Sequence, residues 1–188
     1  MCITTPRSWI KVVTALVAIG MTGCPHSTED AAVGFVRRLG GRAPSIHRLD
    51  LAHTAIGDDD LQRLTQIGGA SLAGVEQLDL THTRITDRGV AMLRSFPKVK
   101  KLSLTLTGVS DAGVHSLAAL EQLAELYLIE TAVTDAALEP LSRLVHLRTL
   151  VLLRTDVTPA GISRLRQALP TALIQVDPAG GRTRRAQR

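Results

Sequence analysis

The sixteen residues Val75–Val90 read VEQLDLTHTRITDRGV and hold two hydrophobic periods. Val75, Leu78 and Leu80 stand at the first, fourth and sixth positions, and the period of two over Leu78 and Leu80 predicts a short strand with one buried face. Thr86 offers a hydroxyl suited to a helix N-cap, Asp87 puts a negative charge at the positive helix end, and Val90 and Leu93 continue at a spacing of three. The histidine between two threonines raises the question of chemistry. A catalytic cluster occurs once in a chain, whereas a structural unit repeats. This stretch repeats.

Segments of the same design start at Ile46, Val75, Val99, Leu123 and Leu147, with a half-segment from Thr171, at spacings of 29, 24, 24, 24 and 24 residues. Their apolar triplets are Ile46/Leu49/Leu51, Val75/Leu78/Leu80, Val99/Leu102/Leu104, Leu123/Leu126/Leu128 and Leu147/Leu150/Leu152. Each triplet is followed by a threonine (Thr54, Thr83, Thr107, Thr131, Thr155) and then a β-branched residue (Ile56, Ile85, Val109, Val133, Val157). Thr86, Ser110, Thr134 and Thr158 are the expected N-caps, with Gly57 in that place in the first segment. Asp58, Asp87, Asp111 and Asp135 fill the first turn, and Pro159 replaces the acid in the fifth segment, where no amide donor is needed. Gly89, Gly113 and Gly161 read as packing glycines; Asp60 and Ala137 take their place in the first and fourth segments.

These segments resemble leucine-rich repeats of the strand–helix kind, seen in bacterial proteins with TDAGL-like turns and in ribonuclease-inhibitor-like horseshoes. The resemblance spans residues 46–177. It implies an α/β fold, a short leucine-rich repeat solenoid with parallel strands on the concave face and helices on the convex face. At the ladder position the general pattern has asparagine or cysteine, and this chain has threonine throughout, whose hydroxyl can still bond the backbone of the turn. Solenoid ends need covers. Residues 24–45 supply a linker and an N-terminal capping helix, with Ser27 or Thr28 as its N-cap, a stripe of Ala32, Val33, Phe35, Val36 and Leu39, and Gly40-Gly41 as its stop. Ile174 and Val176 supply a last strand. Five extra residues in the first segment fall in GGASLAG, Gly68 to Gly74, which reads as a flexible loop. With aromatics at only 2% of the chain, the core must be aliphatic.

Residues 1–23 read as a signal peptide, with Arg7 and Lys11 before the apolar run Val12 to Met21. Ten apolar residues at ~1.5 Å each span about half of the ~30 Å hydrocarbon core, too little for a permanent membrane helix. Met21-Thr22-Gly23-Cys24 resembles the bacterial lipoprotein signal, although Met21 stands where that signal usually has leucine. The resemblance implies acylation of Cys24, a lipid-anchored mature chain and a place in the bacterial cell envelope; an ordinary secretory signal is the alternative. Loss of Cys2 with the leader leaves Cys24 alone, so no internal disulfide forms. Pro25 is not the acidic residue that retains lipoproteins at the inner membrane in some bacteria, which points to the outer membrane.

The sequence pI near 9.9 suggests a nucleic-acid partner until the charges are located. Six of the 22 lysines and arginines lie in the leader and in the tail from Pro178, segments that hold none of the 17 acids, so residues 24–177 carry −1. The repeat domain is therefore not a polyanion binder. Residues 178–188, PAGGRTRRAQR, read as a solvated, disordered basic tail that contact with anionic lipid would also suit.

Two constellations face outward. Asp50 and Asp79 match in the first two segments, as do His53 and His82, and two carboxylates with two imidazoles could bind a metal or serve acid–base hydrolysis. Asp50 and His53 are three residues apart where the chain turns, so their side chains need not meet, and the sequence is expected to use no cofactor, no metal and no catalytic residue. The second constellation is an exposed apolar patch of Tyr127, Ile129, Val151 and Leu153 with Glu130 and Arg154 at its rim, suited to a protein partner in the envelope or to self-association. The expected function is a membrane-tethered binding or scaffolding module. The alternatives are a hydrolase at Asp50/His53/Asp79/His82 and a structural envelope protein without a specific partner.

Overall fold

The computed structural model describes residues 28–45 and 47–177. The leader, Cys24, Ile46 and the basic tail lie outside the described residues, as does the N-cap expected at Ser27 or in the Thr28 side chain. Helix α1 (Thr28–Arg38) leads into strands β1 (Arg42–Ser45) and β2 (Arg48–Asp50), then α2 (Asp58–Gly68) and β3 (Gln77–Asp79). Next come α3 (Asp87–Val90), β4 (Lys101–Ser103), α4 (Asp111–Leu117), β5 (Glu125–Tyr127), α5 (Leu138–Ser142), β6 (Thr149–Leu152), α6 (Pro159–Ala168) and β7 (Leu173–Val176). The strands form one seven-stranded sheet in sequence order, parallel from β2 to β7, with β1 antiparallel at the N-terminal edge.

The repeat period sets the register. Leu49, Leu78, Leu102, Leu126, Leu150 and Ile174 pair side by side and point into the core with Leu51, Leu80, Leu104, Leu128 and Leu152. A second parallel ladder runs across the turns, where the amides of Arg84, Gly108, Ala132 and Asp156 donate to the carbonyls of Ile56, Ile85, Val109 and Val133. The ladder threonines are local. Thr54, Thr83, Thr107, Thr131 and Thr155 each donate to the leucine carbonyl three residues earlier, at 2.6–3.1 Å, so a hydroxyl enters the core with its bond made.

The convex side is less uniform than an unbroken row of helices. Helix α3 continues as a 3-10 segment (Ala91–Ser95), and α5 is preceded by another (Asp135–Ala137). The expected caps are in place: the hydroxyls of Thr86, Ser110, Thr134 and Thr158 accept from Arg88, Ala112, Ala136 and Gly161 amides.

Two expectations require correction. Gly68 to Gly74 is not an open loop: Gly69–Gly74 is a 3-10 helix that buries Leu72 and packs against α1. Four glycines and alanines give little local preference, and one leucine with a core to enter decides the conformation. Strand β1 lacked a signal, since RAPS shows no apolar alternation; it forms because the chain doubles back after α1 and buries Ala43 beside β2.

Candidate functional site

Parallel register lays the outward residues of the concave face in rows. One row runs Arg48, Gln77, Lys101, Glu125, Thr149, Leu173, and the next Asp50, Asp79, Ser103, Tyr127, Val151, Gln175. At the strand ends follow Ala52, Thr81, Thr105, Ile129 and Leu153. The face changes character along its length. Its first part is polar, with Thr81 Oγ1 at 2.7 Å from Ser103 Oγ, which donates to Thr105 Oγ1 at 3.3 Å. Its second part holds Tyr127, Ile129 and Leu153, all half-buried.

Val151 departs from the expected patch. It occupies the outward register position, yet it is only 4% exposed. A valine between larger neighbours on an inward-curving sheet becomes floor, and a partner would touch Tyr127, Ile129 and Leu153 above it. Tyr127 also sits in a polar setting that sequence reading missed. Its hydroxyl donates to Glu125 Oε2 at 3.1 Å, Lys101 Nζ lies 2.8 Å from the same oxygen, and Nζ stands 5.3 Å from the ring centroid. The Lys101 ammonium holds the Glu125 carboxyl below its usual range, and Glu125 in turn raises Lys101. Opposite charges at matching positions of adjacent repeats were the available signal for this pair.

Beyond the strand ends, His53, His82, Leu106, Glu130 and Arg154 all adopt left-handed backbone, with φ between 54° and 58°. None is glycine or asparagine, the residues that tolerate this region best. The turn enforces the conformation: the amides of His53, His82, Leu106 and Glu130 donate to the Thr81, Thr105, Ile129 and Leu153 carbonyls of the next repeat. The five side chains thus line the rim of the concave face. Arg154 Nη1 pairs with Glu130 Oε1, which joins the two residues read as the charged border of the patch.

The Asp–His constellation meets only in part. The rings of His53 and His82 approach to 5.3 Å between centroids, tilted by 39°. The aspartates turn away to their own backbone: Asp50 Oδ1 accepts from the Ala52 amide at 3.1 Å and Asp79 Oδ1 from the Thr81 amide at 2.9 Å. Among the described residues no three His, Cys, Asp or Glu side chains gather in an arrangement that could hold a metal ion. Nothing in this arrangement supports the hydrolase alternative. His47 is accounted for by its Nδ1, 2.7 Å from the Gly74 carbonyl.

A family model described as Leucine Rich repeat matches residues 42–64 and 75–93. No curated protein shows significant similarity to the sequence. Solved structures similar to this chain include an internalin from Listeria monocytogenes, at 20% identity and a TM-score of 0.42, covering 60% of this chain and 37% of that one. Another is a leucine-rich repeat protein of Leptospira interrogans, at 19% identity and a TM-score of 0.43, covering 56% of this chain and 27% of that one. The chain thus spans well under half the length of either. The family match over the first repeats, with the parallel sheet and the 24-residue stacking, makes this chain an α/β leucine-rich repeat solenoid.

Proposed function

We propose that this chain is a protein-binding module whose concave face takes a partner in a bacterial cell envelope, and that a lipid on Cys24 tethers it to the membrane. The observation that carries the binding reading is the half-exposed group of Tyr127, Ile129 and Leu153 on an open sheet, bordered by the Glu130–Arg154 ion pair. Tyrosine beside aliphatic side chains is a frequent interface anchor, and each such side chain contributes on the order of 1.5–3 kcal/mol when fully buried. Among the described residues no helix is long and apolar enough to cross a membrane. The tether rests on the leader and on Met21-Thr22-Gly23-Cys24. One acyl chain binds membranes only marginally, so the mature form carries more than one.

Tyr127→Ser with Leu153→Ser leaves the core leucines untouched and tests the face. The double variant is expected to keep its melting temperature and to lose its envelope partner in pull-down; equal capture sinks the reading, and a change of mass in solution assigns the face to self-association. Cys24→Ala is expected to retain the leader and lose fatty-acid labelling. Unchanged size and labelling would exclude the tether.

A further inference from the structure

We propose that the N-terminal end of the concave face binds an acidic peptide segment of the partner through Arg37, Arg42 and Arg48. This rests on the concave-face reading above and adds the chemistry of what is bound. Arg37 lies in the last turn of α1, Arg42 opens β1 and Arg48 opens β2; with Gly41, Ala43 and Asp50 they line one hollow. All three arginines are exposed. Among the described residues none of them has a carboxylate within ion-pair distance, whereas Lys100, Lys101 and Arg154 are engaged by Glu76, Glu125 and Glu130. Arg42 and Asp50 are register partners without forming such a pair, and Asp50 spends Oδ1 on the Ala52 amide. Three guanidiniums against one carboxylate leave the hollow positive in a domain whose net charge is −1.

The surroundings choose a short acidic segment over a long polyanion. Asp79 lies one strand further along the face, and Asp58, Asp59 and Asp60 open α2, so a nucleic acid or polyanionic chain leaving the hollow would meet like charge. Guanidinium forks match carboxylates in two-point contacts. From β2 the sheet runs through neutral Gln77 and Ser103 to Tyr127, Ile129 and Leu153. Four strand spacings of ~4.8 Å separate β2 from β6, roughly 19 Å, which an extended peptide covers in about six residues. The partner segment therefore carries acidic residues at one end and apolar residues about six positions away.

The test is fluorescence anisotropy with two labelled peptides: three glutamates, a Gly/Ser spacer of about six residues and two leucines, and the same peptide with glutamine for glutamate. The protein is expected to bind the glutamate peptide at least about tenfold more tightly, with the preference shrinking between about 50 and about 300 mM salt. Arg42→Glu with Arg48→Glu should abolish the preference. Arg42→Gln with Arg48→Gln should reduce it at an unchanged melting temperature, which separates charge from folding. Equal binding of the two peptides overturns the proposal, as does a preference the arginine variants leave intact. Arginine-dependent binding of anionic phosphatidylglycerol vesicles without peptide discrimination also overturns it, in favour of a lipid surface. If the peptide preference is absent while envelope capture still depends on Tyr127 and Leu153, the arginine site fails alone; capture indifferent to Tyr127 and Leu153 sinks the concave-face reading itself.

Discussion

The carboxylate of Asp87 holds Ser110 of the next repeat by two bonds: Oδ1 accepts from the backbone amide at 2.7 Å and Oδ2 from the hydroxyl at 2.6 Å. Asp58 holds Thr86, Asp111 holds Thr134 and Asp135 holds Thr158 in the same way. Stacking is therefore fixed by charge-assisted bonds on one edge as well as by the leucine core. Both ends of this row depart from the pattern for a reason. At the first repeat Gly57 offers no hydroxyl, and its amide donates to Asp60 Oδ2 of its own helix at 3.2 Å; at the last, Pro159 stands in place of the acid, and among the described residues no later cap follows for an acid to hold.

The same row explains the glycines. A Cβ on Gly113 would lie 2.4 Å from Asp87 Oδ1 and 2.9 Å from Val109 Cγ1. Alanine is the better helix former by about 1 kcal/mol, yet overpacking costs roughly 1–3 kcal/mol, and Gly113→Ala is expected to be net destabilising. Asp87→Ala alone should cost about 1–3 kcal/mol through the lost bonds to Ser110. In the double variant the clash with the carboxylate is gone, so urea denaturation should show a coupling of about 1 kcal/mol or more. Additive costs would mean that carboxylate and glycine are independent. Ala137 occupies the equivalent position one repeat on, and there the first turn is 3-10 rather than α.

Leu106 holds φ at 55° while 42% exposed, so its side chain recovers little of what the left-handed backbone costs. A leucine in this region is disfavoured by roughly 1–2 kcal/mol, and asparagine tolerates it. Leu106→Asn is expected to raise stability by about 0.5–1 kcal/mol in chemical denaturation. A fall would show that Leu106 packs on the rim more than its exposure suggests.

How far these relationships were legible depends on their range. Strand register, threonine turns and caps follow from periods inside one segment, and Leu102, Thr107 and Ser110 stand where their spacing placed them. In sequence Asp87 is only a charge for the helix end, because its bonds to Ser110 exist only once two repeats are stacked. The signal lay in the exceptions, Asp60 at one end and Pro159 at the other. Rows of the concave face were legible from parity alone. Exposure was not, since Val151 shares the parity of Tyr127 but is covered by its neighbours. The left-handed rim carried no glycine or asparagine to announce it.

Lys101 and Glu125 make the face pH-sensitive to a small extent. The depressed carboxyl stabilises the fold above its unfolded value, near 4.5, and that contribution is lost as pH falls through the folded value. The raised ammonium stabilises fully below its unfolded value of 10.5, and that contribution is lost as pH rises through the folded value. The pair thus acts between these limits. Its side chains are 47% and 39% exposed, so screening holds the worth of the pair to about 0–1 kcal/mol. Lys101→Met should lower stability by no more than that at neutral pH, and by less at acidic pH once the lowered carboxyl of Glu125 has protonated. A difference of the same size at both pH values would assign the effect to packing on Tyr127.

At the C-terminal edge of the described residues the row of rim amides ends on a different kind of acceptor. His53, His82, Leu106 and Glu130 give their amides to carbonyls of the following repeat, whereas the Arg154 amide donates to the carboxylate side chain of Asp177, just beyond β7. Asp177 thereby closes the rim beside Leu153 and Arg154, next to the proposed anchors. Asp177→Ala should speed hydrogen exchange at the Arg154 amide and along β6 and β7 while costing about 0.5–1.5 kcal/mol in total stability. Asp177→Asn should restore most of the protection, because a neutral carbonyl oxygen still accepts the bond. If the alanine variant exchanges no faster at Arg154 than the parent, the end is held by the Ile174 core contact alone, and the carboxylate is not its closure.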